Sequence, residues 1–274
     1  MNKIVDNLCD GLAAAGTAAI AATSSSPEGA LVMEVAAPFA GGFLKAVVNS
    51  VERLITSRGE QRIDVMAHVA YETLQQNLHK GLSYRKDNLF IRIKDQCEFE
   101  EIFEGIIRAV SSDCDQAKSA IYGRFLGNIP FHPECKINKL RNMKDTIQSL
   151  TSFELCVLSL YYKRVYLGTM EIDKYIDENP DSIASDIFVA LKKLSTNSCL
   201  SSIVPTKMTA EVLNYVISQY GKDVCILTQL DDTDNLYPEL HKEIYMIDDC
   251  LRDICHLSDN DPVYDGARKK YLRK

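Results

Sequence analysis

The chain has 274 residues, 46% apolar and 25% charged, enough to bury one large core or two modest ones and too apolar for global disorder. A net charge of -7 argues against a broad nucleic-acid surface, which needs clustered Lys and Arg to displace counterions. The nine cysteines are odd in number, scattered and without a CxxC pair, the pattern of a reducing cytoplasm rather than of a disulfide framework.

The N-terminal 49 residues form an Ala/Gly-rich apolar segment. A spanning helix needs about 20 consecutive apolar residues, and Leu12–Thr23 falls short before Ser24-Ser25-Ser26-Pro27-Glu28-Gly29 breaks it. Ala30–Val48 is long enough but holds Glu34, Pro38 and Lys45, and a charge at mid-bilayer costs roughly 3 kcal/mol. A signal peptide would want a basic start, whereas Lys3 is offset by Asp6 and Asp10. Small residues at Gly11, Ala15, Ala19 and Ala22, then at Ala36, Ala40 and Gly41, let helices approach closely. The expectation is a close-packed hairpin or self-association seam; membrane contact through residues 11–49 is the alternative.

Residues 50–82 read as one helix, with Ile63, Met66, Ala67, Ala70, Tyr71, Leu74 and Leu78 at three- and four-residue steps and Gly81 placed to end it. Ser83–Asp87 is a polar loop; Asn88–Ile93 suits a short strand or a helix start equally. Phe99, Ile102, Phe103, Ile106, Ile107 and Val110 predict a second helix. Ala117, Ile121 and Phe125 predict a third, capped by Asp113 and running to about Asn128. Within it, Gly123 and Gly127 form a small-xxx-small pair rather than a phosphate loop, because no strand precedes them. Ile129-Pro130-Phe131-His132-Pro133 breaks the chain. Ile137, Leu140, Lys144, Ile147 and Leu150 then mark a helix with a basic polar face.

Thr151-Ser152-Phe153-Glu154 matches a capping box, in which Thr and Glu satisfy each other's free amides. The helix it opens, Phe153–Val165, is apolar on nearly every side, as a helix in the middle of a domain is. Glu171–Glu178 predicts a short helix. Another starts at Pro180-Asp181 with Ile183, Ile187, Ala190, Leu191 and Leu194 on its core face. A strand is expected at Leu200–Val204, a helix over Met208–Tyr220 ending at Gly221, and a strand over Asp223–Leu230. Asp231–Asn235 is a solvated turn. Leu240, Ile244, Ile247 and Leu251 alternate four and three steps apart, a coiled-coil-like seam for self-association. The tail over 268–274 is basic.

Chemistry-bearing motifs are sparse. GxSxG, P-loop and HExxH patterns are missing. His132-Pro133-Glu134-Cys135 and Cys250…Cys255-His256 lack the paired spacing of a zinc site, so core cysteines and surface histidines are expected there. Asp231, Asp232 and Asp234 lack the glycine and closing Glu of an EF-hand loop. No catalytic residue, metal ligand or cofactor is assigned. The order from Ser182–Leu194 to the strand near Cys225 is roughly that of a winged helix, with Lys192, Lys193 and Lys207 as its candidate nucleic-acid contacts. Asp181 and Asp186 lie beside them, and carboxylates repel phosphate, so this part is expected to meet protein rather than DNA.

The strings AKSAIYGRFLGNI (117–129), LTSFELCVLSLYYKR (150–164) and LKKLSTNSCLSSIVPTKMTAEVLNYVI (191–217) resemble prophage and defence-island proteins of the abortive-infection alpha type. That resemblance implies a bacterial, mobile-element-borne protein active in phage resistance or host takeover, and carries over no catalytic residue.

The expected architecture is mainly α: a helical bundle with a winged-helix-like C-terminal part and at most a small β-sheet. Its parts are the apolar segment 1–49, a helical middle over 50–135, the winged-helix-like part over 136–235, and a last helix with tail over 236–274. The expected function is non-enzymatic: a cytoplasmic, self-associating interaction protein with a protein partner, a phage-encoded one included, and no cofactor. A membrane-active effector at the inner membrane and a winged-helix regulator are the alternatives.

Overall fold

A computed structural model describes residues 57–83, 85, 87, 89, 98–113, 115–163, 172–203, 214–232 and 237–254. The protein is mainly helical with one two-stranded sheet. It divides into two compact units between Ser149 and Leu150. The N-terminal segment through Thr56, with Gly11, Ala15, Ala19, Ala36, Ala40 and Gly41, lies outside the described residues. No described helix is long and apolar enough to cross a membrane.

The first unit comprises α1 (Ser57–His79), α2 (Glu98–Ser112), α3 (Ala117–Asn128), a 3-10 turn at Ile129–Phe131 and α4 (Ile137–Ser149). Helix α1 buries Ile63, Met66, Ala70 and Leu74 at helical spacing. It ends at Gly81, whose φ of 73° is the left-handed conformation glycine adopts freely. The Leu82 amide donates to the Asn77 carbonyl and the Gly81 amide to Leu78, a Schellman closure of the free carbonyls.

Helix α3 lies hard against α1 because two glycines allow it. A Cβ on Gly123 would stand 2.5 Å from the Met66 carbonyl oxygen, and one on Gly127 2.6 Å from that of Ala70. The expected small-xxx-small pair is therefore a helix-crossing site. The same crossing buries polar partners. Asn77 Nδ2 donates to Asn128 Oδ1 at 2.7 Å, and Arg124 donates to Thr73 Oγ1 at 3.3 Å. Buried amides and guanidinium groups are tolerated only when hydrogen-bonded, so these pairs also fix the register of the two helices.

Two local expectations differ from what the fold contains. Asp113 does not cap α3; its carboxylate pairs with the buried Lys118 ammonium at 2.6 Å. The amide that opens α3, on Ala117, donates instead to Asp115. Nor is Ser83–Asp87 simply a polar loop. Arg85 is 4% exposed, holds both Asp87 oxygens and donates to the carbonyls of Ile129, His132 and Cys135. Its fixed fork of donors staples this stretch to the turn at the two prolines, and its hydrogen bonds hold the Asp87 carboxyl below its ordinary pKa.

The second unit comprises α5 (Ser152–Lys163), α6 (Ile172–Glu178), α7 (Ala184–Thr196), β1 (Leu200–Ile203), β2 (Asn214–Ile217), α8 (Gln219–Thr228), 3-10 turns at Leu230–Asp232 and Pro238–Leu240, and α9 (His241–Ile254). Helix α5 is its axis: every residue from Glu154 to Tyr161 is buried. Helices α7, α8 and α9, strand β2 and the turn at Leu230 all pack on it. The strands are antiparallel, with Leu200 opposite Ile217 and Ile203 opposite Asn214.

Residues 214–228 exchange the two expected elements. Asn214–Ile217, expected as helix, is a strand, because Tyr215, Val216 and Ile217 pair across to β1. Gln219–Thr228, expected largely as strand, is a helix that buries Val224, Cys225, Leu227 and Thr228 on one face. Ser218 caps it, its hydroxyl accepting from the Gly221 amide at 2.9 Å. Gly221 ends nothing: a Cβ there would collide with the carbonyl of Cys199.

Gly123→Ala should destabilise the protein by about 1–3 kcal/mol through overpacking against backbone that cannot yield. Urea unfolding followed by far-UV circular dichroism reads this; a midpoint equal to wild type would contradict the close-crossing account.

Candidate interaction surface

The second unit places the candidate residues from its centre outward. The Thr151 amide donates to Glu154 Oε2 at 2.7 Å, and the Glu154 amide donates to Thr151 Oγ1 at 3.2 Å, so the capping box closes as expected. The same Glu154 oxygen accepts from Lys193 Nζ at 2.8 Å. Glu154 is buried and Lys193 half-buried. This charge-assisted bond fastens α7 to the N-terminus of α5.

That anchor sets which side of α7 faces out. Ile187, Ala190, Leu191 and Leu194 are buried. Ser185, Asp186, Val189, Lys192 and Thr196 are exposed, Val189 by 61%. Lys192 Nζ stands 3.9 Å from the centre of the Phe188 ring, a cation–π contact that holds the ammonium along the helix surface. Of the three candidate nucleic-acid lysines, Lys193 is engaged with Glu154, Lys192 is exposed, and Lys207 lies outside the described residues.

The predicted seam on the last helix faces inward. Leu240, Ile244, Ile247 and Leu251 are each at most 5% exposed, as core of the unit. Leu240 closes the 3-10 turn before α9, and α9 packs Ile244, Ile247 and Leu251 toward α5, since one amphipathic stripe serves one core. The side chains that α9 leaves exposed are Lys242, Glu243, Tyr245, Met246, Asp249 and Asp253, with Tyr245 at 58% and Met246 at 46%. On α7 and α9, Val189, Tyr245 and Met246 are exposed apolar residues that periodicity overlooks. A signal for them exists in the sequence: each is apolar yet out of phase with the core stripe of its own helix.

The described cysteines Cys135, Cys156, Cys199, Cys225 and Cys250 are all buried. Burial pushes the Cys199 thiol up to about 12 and the Cys250 thiol up to about 11, and raises Cys225 well above its ordinary value. These are protonated core thiols rather than nucleophiles. Among the described residues no cluster of His, Cys, Asp and Glu could hold a metal ion.

Comparison with protein-family models, curated proteins and solved structures finds no match. The fold defines the class: a mainly helical, two-unit protein whose second unit carries a short β-hairpin.

Folded thiols keep their protons above the pH at which unfolded ones lose them. Their contribution to stability is therefore fully present below 9.0, the ordinary thiol value, and falls as pH rises from there toward about 12. The urea midpoint should drop over that window, and a thiol-alkylating reagent with peptide mass spectrometry should find Cys199, Cys225 and Cys250 labelled at neutral pH only after denaturant is added; prompt labelling at any of these three positions in the folded chain would contradict their burial. Lys193→Glu, which sets a like charge against buried Glu154, should lose about 2 kcal/mol or more in the same unfolding measurement, while Lys192→Glu should lose little. Equal losses would remove the anchor.

Proposed function

We propose that the chain is a non-enzymatic interaction protein whose second unit is a winged-helix-like module that docks protein through the outer face of α7. The element order supports the first part. Helices α5, α6 and α7 are followed by a pair of antiparallel strands, an order in which α7 would be the reading helix of such a module. The observation that carries the docking reading is Val189, a β-branched apolar side chain 61% exposed at the middle of that helix. An apolar residue displayed there gains from a desolvated partner surface and nothing from solvent.

Lys192 keeps duplex DNA as a second reading. The line Ser185–Val189–Lys192–Thr196 carries hydroxyl, apolar and cationic groups, any of which can meet a base edge. Asp186 near the start of α7 and the commitment of Lys193 to Glu154 weigh against it, because phosphate contacts dominate affinity. A phage-encoded partner, and with it a part in phage exclusion, is proposed from the resemblance alone.

A photo-crosslinking benzoylphenylalanine at position 189 discriminates. Irradiation of cells expressing the full chain should give a protein adduct identifiable by mass spectrometry. A nuclease-sensitive adduct would transfer the assignment to DNA, and no adduct of either kind would sink both readings.

A further inference from the structure

We infer that the first unit binds a buried water molecule where α2, α3 and α4 meet, held by the Tyr122 hydroxyl and the Lys118 ammonium. Both side chains belong to α3, four residues apart and so on one face of the helix. Lys118 is 3% exposed and Tyr122 is fully buried.

The chain does not use up the hydrogen-bonding capacity of these two groups. An ammonium has three donors. Lys118 Nζ gives one to Asp113 Oδ2 at 2.6 Å, just past the end of α2, and one to the Gln148 carbonyl at 3.1 Å, in the last turn of α4. The third is left over in the interior. The Tyr122 hydroxyl is also shut off from solvent and, among the described residues, has no hydrogen-bond partner. Burial, and after it the charges of Asp113 and Asp145, push the pKa of this phenol up, so it keeps its proton and remains a donor. A buried donor left bare costs free energy, which is why nearly all such groups in folded proteins are bonded.

Charge decides what can fill the place. Asp113 is paired with Lys118, and Asp145 with Lys144 at 2.5 Å. With the charges matched, an anion would face the two carboxylates and a cation the two ammonium groups. Among the described residues no cluster could hold a metal ion. What remains is two unmet donors beside carboxylate oxygens, each of which accepts more than one bond; Asp113 Oδ1 takes only the Asp115 amide, at 3.0 Å. Water complements that set. It accepts from Tyr122 and Lys118 and keeps its own hydrogens for a carboxylate, the two to four polar contacts that hold water inside a protein. So placed, it joins the end of α2, the buried face of α3 and the end of α4.

Tyr122→Phe in the full chain tests this, because the sign of its effect depends on the water. If the water is there, the variant strips it of a partner. The unfolding equilibrium constant should then rise roughly fivefold and the urea midpoint fall, with far-UV circular dichroism unchanged. A bare buried hydroxyl is itself a cost, so without the water its removal would leave the midpoint equal or raise it; either result overturns the inference. A crystal structure of the full chain supplies the second measurement. It should show a solvent peak within hydrogen-bond distance of both Tyr122 Oη and Lys118 Nζ. No peak there, with the hydroxyl bonded directly to a carboxylate, would overturn the inference even if the midpoint had fallen.

Discussion

The second unit depends on one constraint: a helix that is apolar all round cannot touch water on any side. Burying a single Leu or Val side chain contributes roughly 1.5–3 kcal/mol, and α5 presents Leu155, Val157, Leu158 and Leu160 around its circumference. The remaining elements must therefore enclose it, and they come from three places in the sequence: α7 before the hairpin, α8 after it, and α9 last. The few polar groups on α5 are placed to close this shell. Ser159 donates to the Leu230 carbonyl at 2.8 Å, and Glu154 receives Lys193 at the end where the helix would otherwise expose free amides. Once α5 is enclosed, each covering helix has an inner face that is determined and an outer face that is not.

The first unit solves its packing differently. Its α1–α3 crossing relies on the absence of side chains at Gly123 and Gly127, so that backbones meet and the dispersion contacts of the flanking residues are close. Such a crossing leaves little room for polar error. The interhelical Asn77–Asn128 bond and the Arg124–Thr73 bond are therefore registry devices as much as contributors to stability. The outward line of α1, Gln61, Asp64, His68, Glu72 and Gln76, is polar and exposed, with His68 and Glu72 paired at 3.2 Å.

Features whose cause is local are legible in the sequence itself. Gly81 as a terminus, the Thr151–Glu154 box and the all-round burial of α5 each follow from a few neighbouring residues. Features set by distant contacts are not. Asn-Tyr-Val-Ile becomes a strand because Leu200–Ile203 is there to pair with it, and neither stretch alone decides that. Gly221 reads as a stop because helices often end at glycine; its actual role is clearance for the Cys199 carbonyl, which no local pattern reveals. Asp113 reads as a cap because it precedes a helix, but the buried Lys118 ammonium has the stronger hold on its carboxylate. The candidate surface is illegible for the same reason. Val189, Tyr245 and Met246 are exposed only because α5 has already fixed which faces turn inward.

The size of the exposed faces limits what they can do. A stable interface between specific partners buries about 800 Å² on each side, and two helical turns with one to two apolar residues apiece cover only part of that. Docking through α7, as proposed, would thus be weak and reversible. Weak docking of this kind would suit an interaction protein that responds to concentration: occupancy climbs as a partner accumulates and falls when it disperses. It also explains why the apolar residues are few. A broader exposed patch would make association permanent and non-specific, whereas on α7 a lone exposed Val189 beside Lys192 would leave the fit of the partner's surface to decide.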